Sequence, residues 1–268
     1  MRWAVAAALL AVICLSGCSQ KALVYEQALH DGESFTSYLV SYQSSGLKVY
    51  AMVAVPNAAM PADGFPVIVA NHGYVPDPTR YGITAEGVNS RPGDYYRSVP
   101  ELYTSRGFLV VLPDYRGHNS SEGLEFTKRD NAIEFYADDV MALMAGLDEI
   151  DDADMSNVFM WSHSMGGAVS MRVLQATHLV KGASFWATMS VRDTAAKTGM
   201  PEIPLILHHS VGDTSTASAN SQVLAEALLA DGRSHVFYSY DGTDHYFAGA
   251  TRELAADRDA KFFRSLGE

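Results

Sequence analysis

The clearest chemistry in this chain lies in Ser162-His163-Ser164-Met165-Gly166-Gly167. An apolar run, Val158 to Trp161, precedes it, and Ala168 to Thr177 after it reads as a helix. Strand, tight turn and helix in that order lift a serine out of the backbone as a nucleophile. The usual pattern is Gly-x-Ser-x-Gly, because the strained turn leaves no room for large side chains beside the serine. Here Ser164 is the candidate, Gly166 fills the second glycine position and Ser162 stands in the first, one small residue for another. A Gly-rich turn that only caps the following helix is the competing reading. A serine hydroxyl is a poor nucleophile at neutral pH. The chemistry therefore needs a histidine base, an acid to orient it, and donors for a developing oxyanion.

Those groups must come from elements that converge on the serine. From Pro66 onward, strands at Pro66–Ala70, Phe108–Leu112, Val158–Trp161, Gly182–Thr188, Pro204–His209 and His235–Tyr240 alternate with helical patterns. The helices are expected over Tyr95–Arg106, Asn131–Ile150, Ala168–Thr177, Thr216–Leu229 and Phe247–Leu266. Phe35–Tyr42 and Leu47–Val55, joined at Ser44-Ser45-Gly46, alternate as an antiparallel hairpin. The series predicts an α/β fold with a mostly parallel central sheet of about eight strands and helices on both faces. In such sheets ligands sit at the carboxyl ends of the strands. Asp213 follows the Pro204–His209 strand, and His245 follows His235–Tyr240. His245 would take the serine proton and return it to the leaving group; Asp213 would hold the imidazole in the right tautomer. Asp241 and Asp244 are rival acids in the loop of His245 itself, better suited to Asx turns. Asp213 also suits a turn or a helix cap.

The order Ser164, Asp213, His245 is that of the α/β-hydrolase triad. From about Ser34 to the C-terminus the chain resembles the α/β-hydrolase superfamily, in its prolyl-oligopeptidase-like and dienelactone-hydrolase-like branch. His72-Gly73-Tyr74 is similar to the oxyanion-loop motif, and Pro113-Asp114-Tyr115-Arg116-Gly117 with Ser120 and Gly123 to the loop after the next strand. His209 to Asp213 is similar to a His-Gly-x-x-Asp acid motif, with Ser210 for its glycine. The resemblance implies an α/β-hydrolase domain over residues 34–268, with the backbone N–H groups of Tyr74 and Met165 as oxyanion donors. It also implies structural roles for His72 and His118 and a bracing role for Asp114 and Arg116. The span from Ser164 to Asp213 has room for little or no lid. Substrate contacts are therefore expected from Tyr81, Tyr95 and Tyr96 in the irregular segment after Tyr74, and from His163 beside the nucleophile. An open cleft without the gate of a prolyl oligopeptidase suits an ester more than a peptide, so a small-molecule ester or peptide-like substrate is expected, with a serine exopeptidase or amidase, or a catalytically silent binding lipoprotein that keeps the fold, as the alternatives.

A chain of 268 residues buries roughly three quarters of its unfolded surface and needs neither disulfide nor metal to fold. The net charge of −12 argues against a nucleic-acid partner, which calls for a basic face. At the N-terminus, Arg2, the apolar run Ala4–Ile13 and Leu15-Ser16-Gly17-Cys18 resemble a bacterial lipobox; an ordinary secretory signal is the alternative. The resemblance implies a signal peptide over residues 1–17, a lipidated Cys18 that anchors the chain to a membrane, and a tether over 18–33. Ser19 beside it resembles an outer-membrane retention signal, so a cell-envelope location facing the periplasm is expected. Cys14 falls in the removed segment, so no thiol chemistry is expected, and no His, Asp or Glu spacing suggests a metal. No cofactor is expected.

Overall fold

The computed structural model describes residues 21–81, 96–191, 199 and 201–267. The expectations for residues 1–17, Cys18 and Tyr95 lie outside the described residues. Among those described, nine strands form one sheet in the order β1-β2-β3-β5-β4-β6-β7-β8-β9. They are β1 (Val24–Asp31), β2 (Phe35–Ser44), β3 (Leu47–Pro56), β4 (Phe65–Asn71), β5 (Leu109–Pro113), β6 (Ala153–His163), β7 (Val180–Trp186), β8 (Leu205–Ser210) and β9 (His235–Tyr240). β1, β2, β3 and β5 pair antiparallel, and all pairings from β5 through β9 are parallel. The helices are α1 (Ser98–Thr104), α2 (Ala132–Met144), α3 (Gly166–Ala176), α4 (Ala219–Ala230) and α5 (Gly249–Gly267).

The central strands are continuously apolar because both faces are covered. Alternate residues then feed two cores. Val67, Val69, Leu109, Val111, Val158 and Met160 pack with Tyr136, Val140 and Leu143 of α2, Val169 of α3, and Leu224 and Leu228 of α4. The residues between them, Ile68, Val110, Phe159 and Trp161, pack with Leu102 and Tyr103 of α1 and with Ala256, Ala260 and Phe263 of α5.

The ninth strand lies within the stretch expected to be a tether. β1 is exposed on nearly every residue, so its sequence carries no alternation, and backbone pairing with β2 is what orders it. The preceding Leu23 is buried in the core, and the Glu149 carboxylate accepts the Ala22 and Leu23 amides at 2.8 and 3.0 Å. Leu23 also accounts for Gly146, where a Cβ would meet its Cγ at 2.9 Å. α2 accordingly stops at Met144, short of the expected Ile150, and the chain turns through Gly146.

The loop after β5 is held by a buried ion pair. The Arg116 guanidinium donates to Asp139 of α2 through Nη2 at 2.7 Å and Nε at 3.0 Å, and the Arg116 amide donates to the same carboxylate at 2.8 Å. Phe126 and Phe135 lie against the guanidinium at 5.1 and 5.0 Å. Removing one partner of a buried pair leaves the other charge uncompensated. Asp139→Ala should therefore lose about 3–5 kcal/mol of stability, read as the midpoint shift in urea denaturation.

Candidate functional site

β6 ends at His163, and Ser164 follows in the left-handed region at φ 55°. For a residue with a Cβ this conformation costs on the order of 1–3 kcal/mol and persists only where the surroundings impose it. Here they do. The Ser164 amide donates to Trp186 O at 3.0 Å, and its carbonyl accepts from the amides of Gly167 at 3.0 Å and Met189 at 3.2 Å. Gly166 is required because α3 begins hard against β4: a Cβ there would lie 2.2 Å from Asn71 O and 2.8 Å from His72 O. Ser162, in the first small position of the motif, is buried and donates to Ser184 O of β7 at 3.2 Å, so its hydroxyl is satisfied inside the sheet.

The loop after β4 reaches the same point from the other side. A Cβ on Gly73 would stand 2.9 Å from Ser164 Cβ and 2.8 Å from Tyr96 Oη. The Gly73 amide donates to Tyr96 Oη at 2.7 Å. The amides of Tyr74 and Met165, by contrast, make no hydrogen bond among the described residues. These are the two expected oxyanion donors, and Met165 stands at the N-terminus of α3, where the helix dipole favours negative charge.

Asp213 lies in the turn after β8. Its Oδ1 accepts the amides of Ser215 at 2.8 Å and Thr216 at 3.0 Å, and its Oδ2 lies 2.6 Å from His245 Nδ1. Of the rival acids, Asp244 accepts the amide of Tyr246 in an Asx turn at 2.9 Å, and Asp241 is exposed; Asp213 is the one that faces the ring. Burial alone would raise the Asp213 pKa. The His245 ring and the Thr216 and Ser215 amides together outweigh burial and hold it below the usual carboxylate range. With Nδ1 engaged, His245 keeps Nε2 for proton transfer. Among the described residues no hydrogen bond joins His245 to Ser164 Oγ. The two are linked through His163, which adjoins Ser164 in sequence and whose ring centroid lies 4.5 Å from that of His245.

Three expected substrate contacts are corrected. Tyr81 is buried, its ring stacked on His72 at 4.2 Å. Tyr96 and His163 are each 2% exposed, bonded to each other and to the backbone. These side chains are committed to packing and hydrogen bonds behind the site. Tyr74, by contrast, stands open at 65% exposure. Sequence reasoning also passed over Tyr246, which stacks on His163 at 4.7 Å; its only signal was its place next to His245. His72 and His118 are buried and neutral, with pKa values lowered to about 4 and about 3, mainly by burial. No group of His, Cys, Asp and Glu suited to a metal occurs among the described residues, and none of their helices is long and apolar enough to cross a membrane.

A mostly parallel sheet carrying Ser164 on a strained turn after β6, with an acid and a histidine after β8 and β9, is the α/β-hydrolase fold. Residues 77–198 match the family model of serine aminopeptidase, S33, and are similar to it. No curated protein matches the chain. Among solved structures, Pyrococcus horikoshii acylaminoacyl peptidase superposes with a TM-score of 0.67 at 17% identity, over 87% of this chain and 42% of that one. The chain thus spans about two fifths of that peptidase. A putative dienelactone hydrolase from Klebsiella pneumoniae gives a TM-score of 0.64 at 14% identity, covering 87% of this chain and 99% of that one. Est1E from Butyrivibrio proteoclasticus, with ferulic acid bound, gives 0.64 at 13% identity, covering 84% and 98%.

The depressed pKa of Asp213 has a pH signature. Its interactions stabilise the fold fully above the unfolded aspartate pKa of about 3.9, and that contribution disappears as pH falls through the lower folded value. The stability advantage of the wild type over Asp213→Asn should therefore be constant above about pH 5 and shrink in more acid solution, measured by urea denaturation across a pH series.

Proposed function

We propose that the chain is a serine hydrolase acting through an acyl-enzyme, with Ser164 as nucleophile, His245 as base and Asp213 as its orienting acid. The observation that carries this is the Asp213–His245 pair at 2.6 Å beside a serine held at positive φ at a strand-to-helix turn. Ser164 Oγ attacks the acyl carbon while His245 Nε2 takes its proton. The Tyr74 and Met165 amides receive the negative charge on the former carbonyl oxygen. Collapse of the tetrahedral intermediate expels the leaving group, which takes the proton from His245. Water, deprotonated by the same ring, then releases the acid and restores Ser164.

The preferred substrate in this reading is a small carboxylic ester. An alcohol leaves a tetrahedral intermediate more readily than an amine, and the near-complete coverage of the dienelactone hydrolase and the ferulic-acid-bound Est1E supports the choice. A peptidase or amidase is the second reading, favoured by the serine aminopeptidase model over residues 77–198. The lipobox-like Leu15-Ser16-Gly17-Cys18 supports a lipid anchor on Cys18 and a place in the bacterial cell envelope, at the outer membrane facing the periplasm.

A fluorophosphonate probe should label Ser164 in the wild type and leave Ser164→Ala unlabelled, with hydrolysis falling by about 10⁴-fold or more. A panel of p-nitrophenyl esters of varied acyl length should be cleaved far faster than aminoacyl-p-nitroanilides. The reverse preference would assign the chain to the peptidases, and a folded wild type inert to the probe would refute the hydrolase reading.

A further inference from the structure

Behind Ser164 runs an uninterrupted line of hydrogen bonds that joins two loops far apart in sequence. The Gly73 amide donates to Tyr96 Oη at 2.7 Å, Tyr96 Oη lies 2.9 Å from His163 Nδ1, and His163 Nε2 lies 2.8 Å from the carbonyl oxygen of His245. The direction of every proton follows from donor and acceptor capacity. A carbonyl oxygen only accepts, so His163 Nε2 carries the ring proton. Burial, and secondarily the neighbouring His245, lowers the His163 pKa to about 3, so the ring is neutral and Nδ1 accepts. The Tyr96 hydroxyl must then donate to Nδ1, which leaves its lone pairs for the Gly73 amide. Every bond in the line thus pairs a donor with an acceptor. Tyr96 and His163 are both almost wholly buried, where such bonds are strengthened and a missing partner is costly.

One end of this line is the loop that presents the Tyr74 amide. Tyr96 Oη takes the Gly73 amide, whereas the next amide, that of Tyr74, makes no hydrogen bond among the described residues. The other end is the main chain of the residue that carries the base. Asp213 holds the His245 ring and His163 holds its backbone, so the base is fixed at two points.

We propose that Tyr96 and His163 are positioning residues of the hydrolytic site, acting as one hydrogen-bonded relay that sets the oxyanion loop and the His245 loop in register across Ser164. The proposal rests on the serine-hydrolase reading above. Neither side chain contacts the substrate; they act through Gly73 and His245. A displacement of about 1 Å at a reacting group can cost about 100-fold in rate, so partial loosening should register in kcat before it registers in KM.

The test uses the full chain, with fluorophosphonate labelling rates and p-nitrophenyl acetate kinetics, and thermal unfolding to confirm the fold of each variant. Tyr96→Phe removes one oxygen and should lower kcat and the labelling rate about tenfold or more, with KM within about twofold. His163→Gln keeps a donor for the His245 carbonyl and loses the acceptor for Tyr96. In that background the further change Tyr96→Phe should cost less than about threefold, because residues acting as one unit are not additive. His163→Asn, which keeps the acceptor and loses the donor, should also fall by about tenfold. A Tyr96→Phe protein as reactive as the wild type, or equal costs in both backgrounds, would overturn the relay. Should Tyr96→Phe not fold, His163→Gln decides: a kcat loss at constant KM supports the relay, and wild-type kcat overturns it. A wild type inert to the probe refutes the hydrolase reading itself, whereas a reactive wild type matched by Tyr96→Phe refutes only the relay.

Discussion

The structure depends on a close approach of two backbone turns around Ser164. α3 starts so near the end of β4 that only a hydrogen fits at Gly166, and the β4 loop returns so near the serine that only a hydrogen fits at Gly73. Between them Ser164 is held at a positive φ that its own Cβ disfavours. The strain is local, and the rigidity that maintains it is spread over the sheet: β4 and β6 pair through residues 65–71, and β6 and β7 pair through His163 and Trp186. Because these strands are buried on both faces, they cannot relax without opening a core.

Most buried polar groups near that turn are partnered, although Asn71 Oδ1 and Trp161 Nε1 are buried with no hydrogen-bond partner among the described residues. Arg116 and Asp139 neutralise each other under the β5 loop. On the opposite face, the buried Asp259 of α5 accepts from Tyr103 at 2.6 Å, Ser184 at 2.7 Å and Trp186 at 2.8 Å, and lies 2.8 Å from His208 Nε2. That carboxylate ties α1, α5, β7 and β8 together directly beneath the strand ends. The buried histidines 72, 118 and 163 are kept neutral by desolvation. Among the described residues His245 is the histidine that combines partial exposure with a carboxylate partner, the combination that proton transfer at a surface cleft requires.

Much of this was readable in advance where a local signal existed. Strands covered on both faces appear as apolar runs, and β4, β5 and β6 are legible on that basis, whereas β9 is an edge strand exposed on much of its length. The strand order then placed Asp213 and His245 at neighbouring strand ends. β1 gave no signal because it is exposed on nearly every residue and so carries no alternation, its order coming from backbone pairing with β2 and from surface contacts such as Glu26 with Ser41 and Lys48. Tyr81, Tyr96 and His163 misled for the converse reason. Tyrosine and histidine suit a binding surface and a satisfied core equally well, and nothing local says which way they face. The same ambiguity between Asp213, Asp241 and Asp244 ended only when a carboxylate was found within bonding distance of the ring.

What the sequence determined by itself is the set of reactive groups and their attachment points: a serine between small residues at a strand-to-helix turn, an acid and a histidine after later strands, and glycines where backbones must meet. These follow from side-chain size and from the periodicity of buried strands, both properties of short segments. What only the tertiary structure decided is which polar groups touch. The Gly73–Tyr96–His163–His245 line joins residues from four separate segments. A hydrogen bond depends on tenths of an ångström and on direction, and no single segment contains both of its ends.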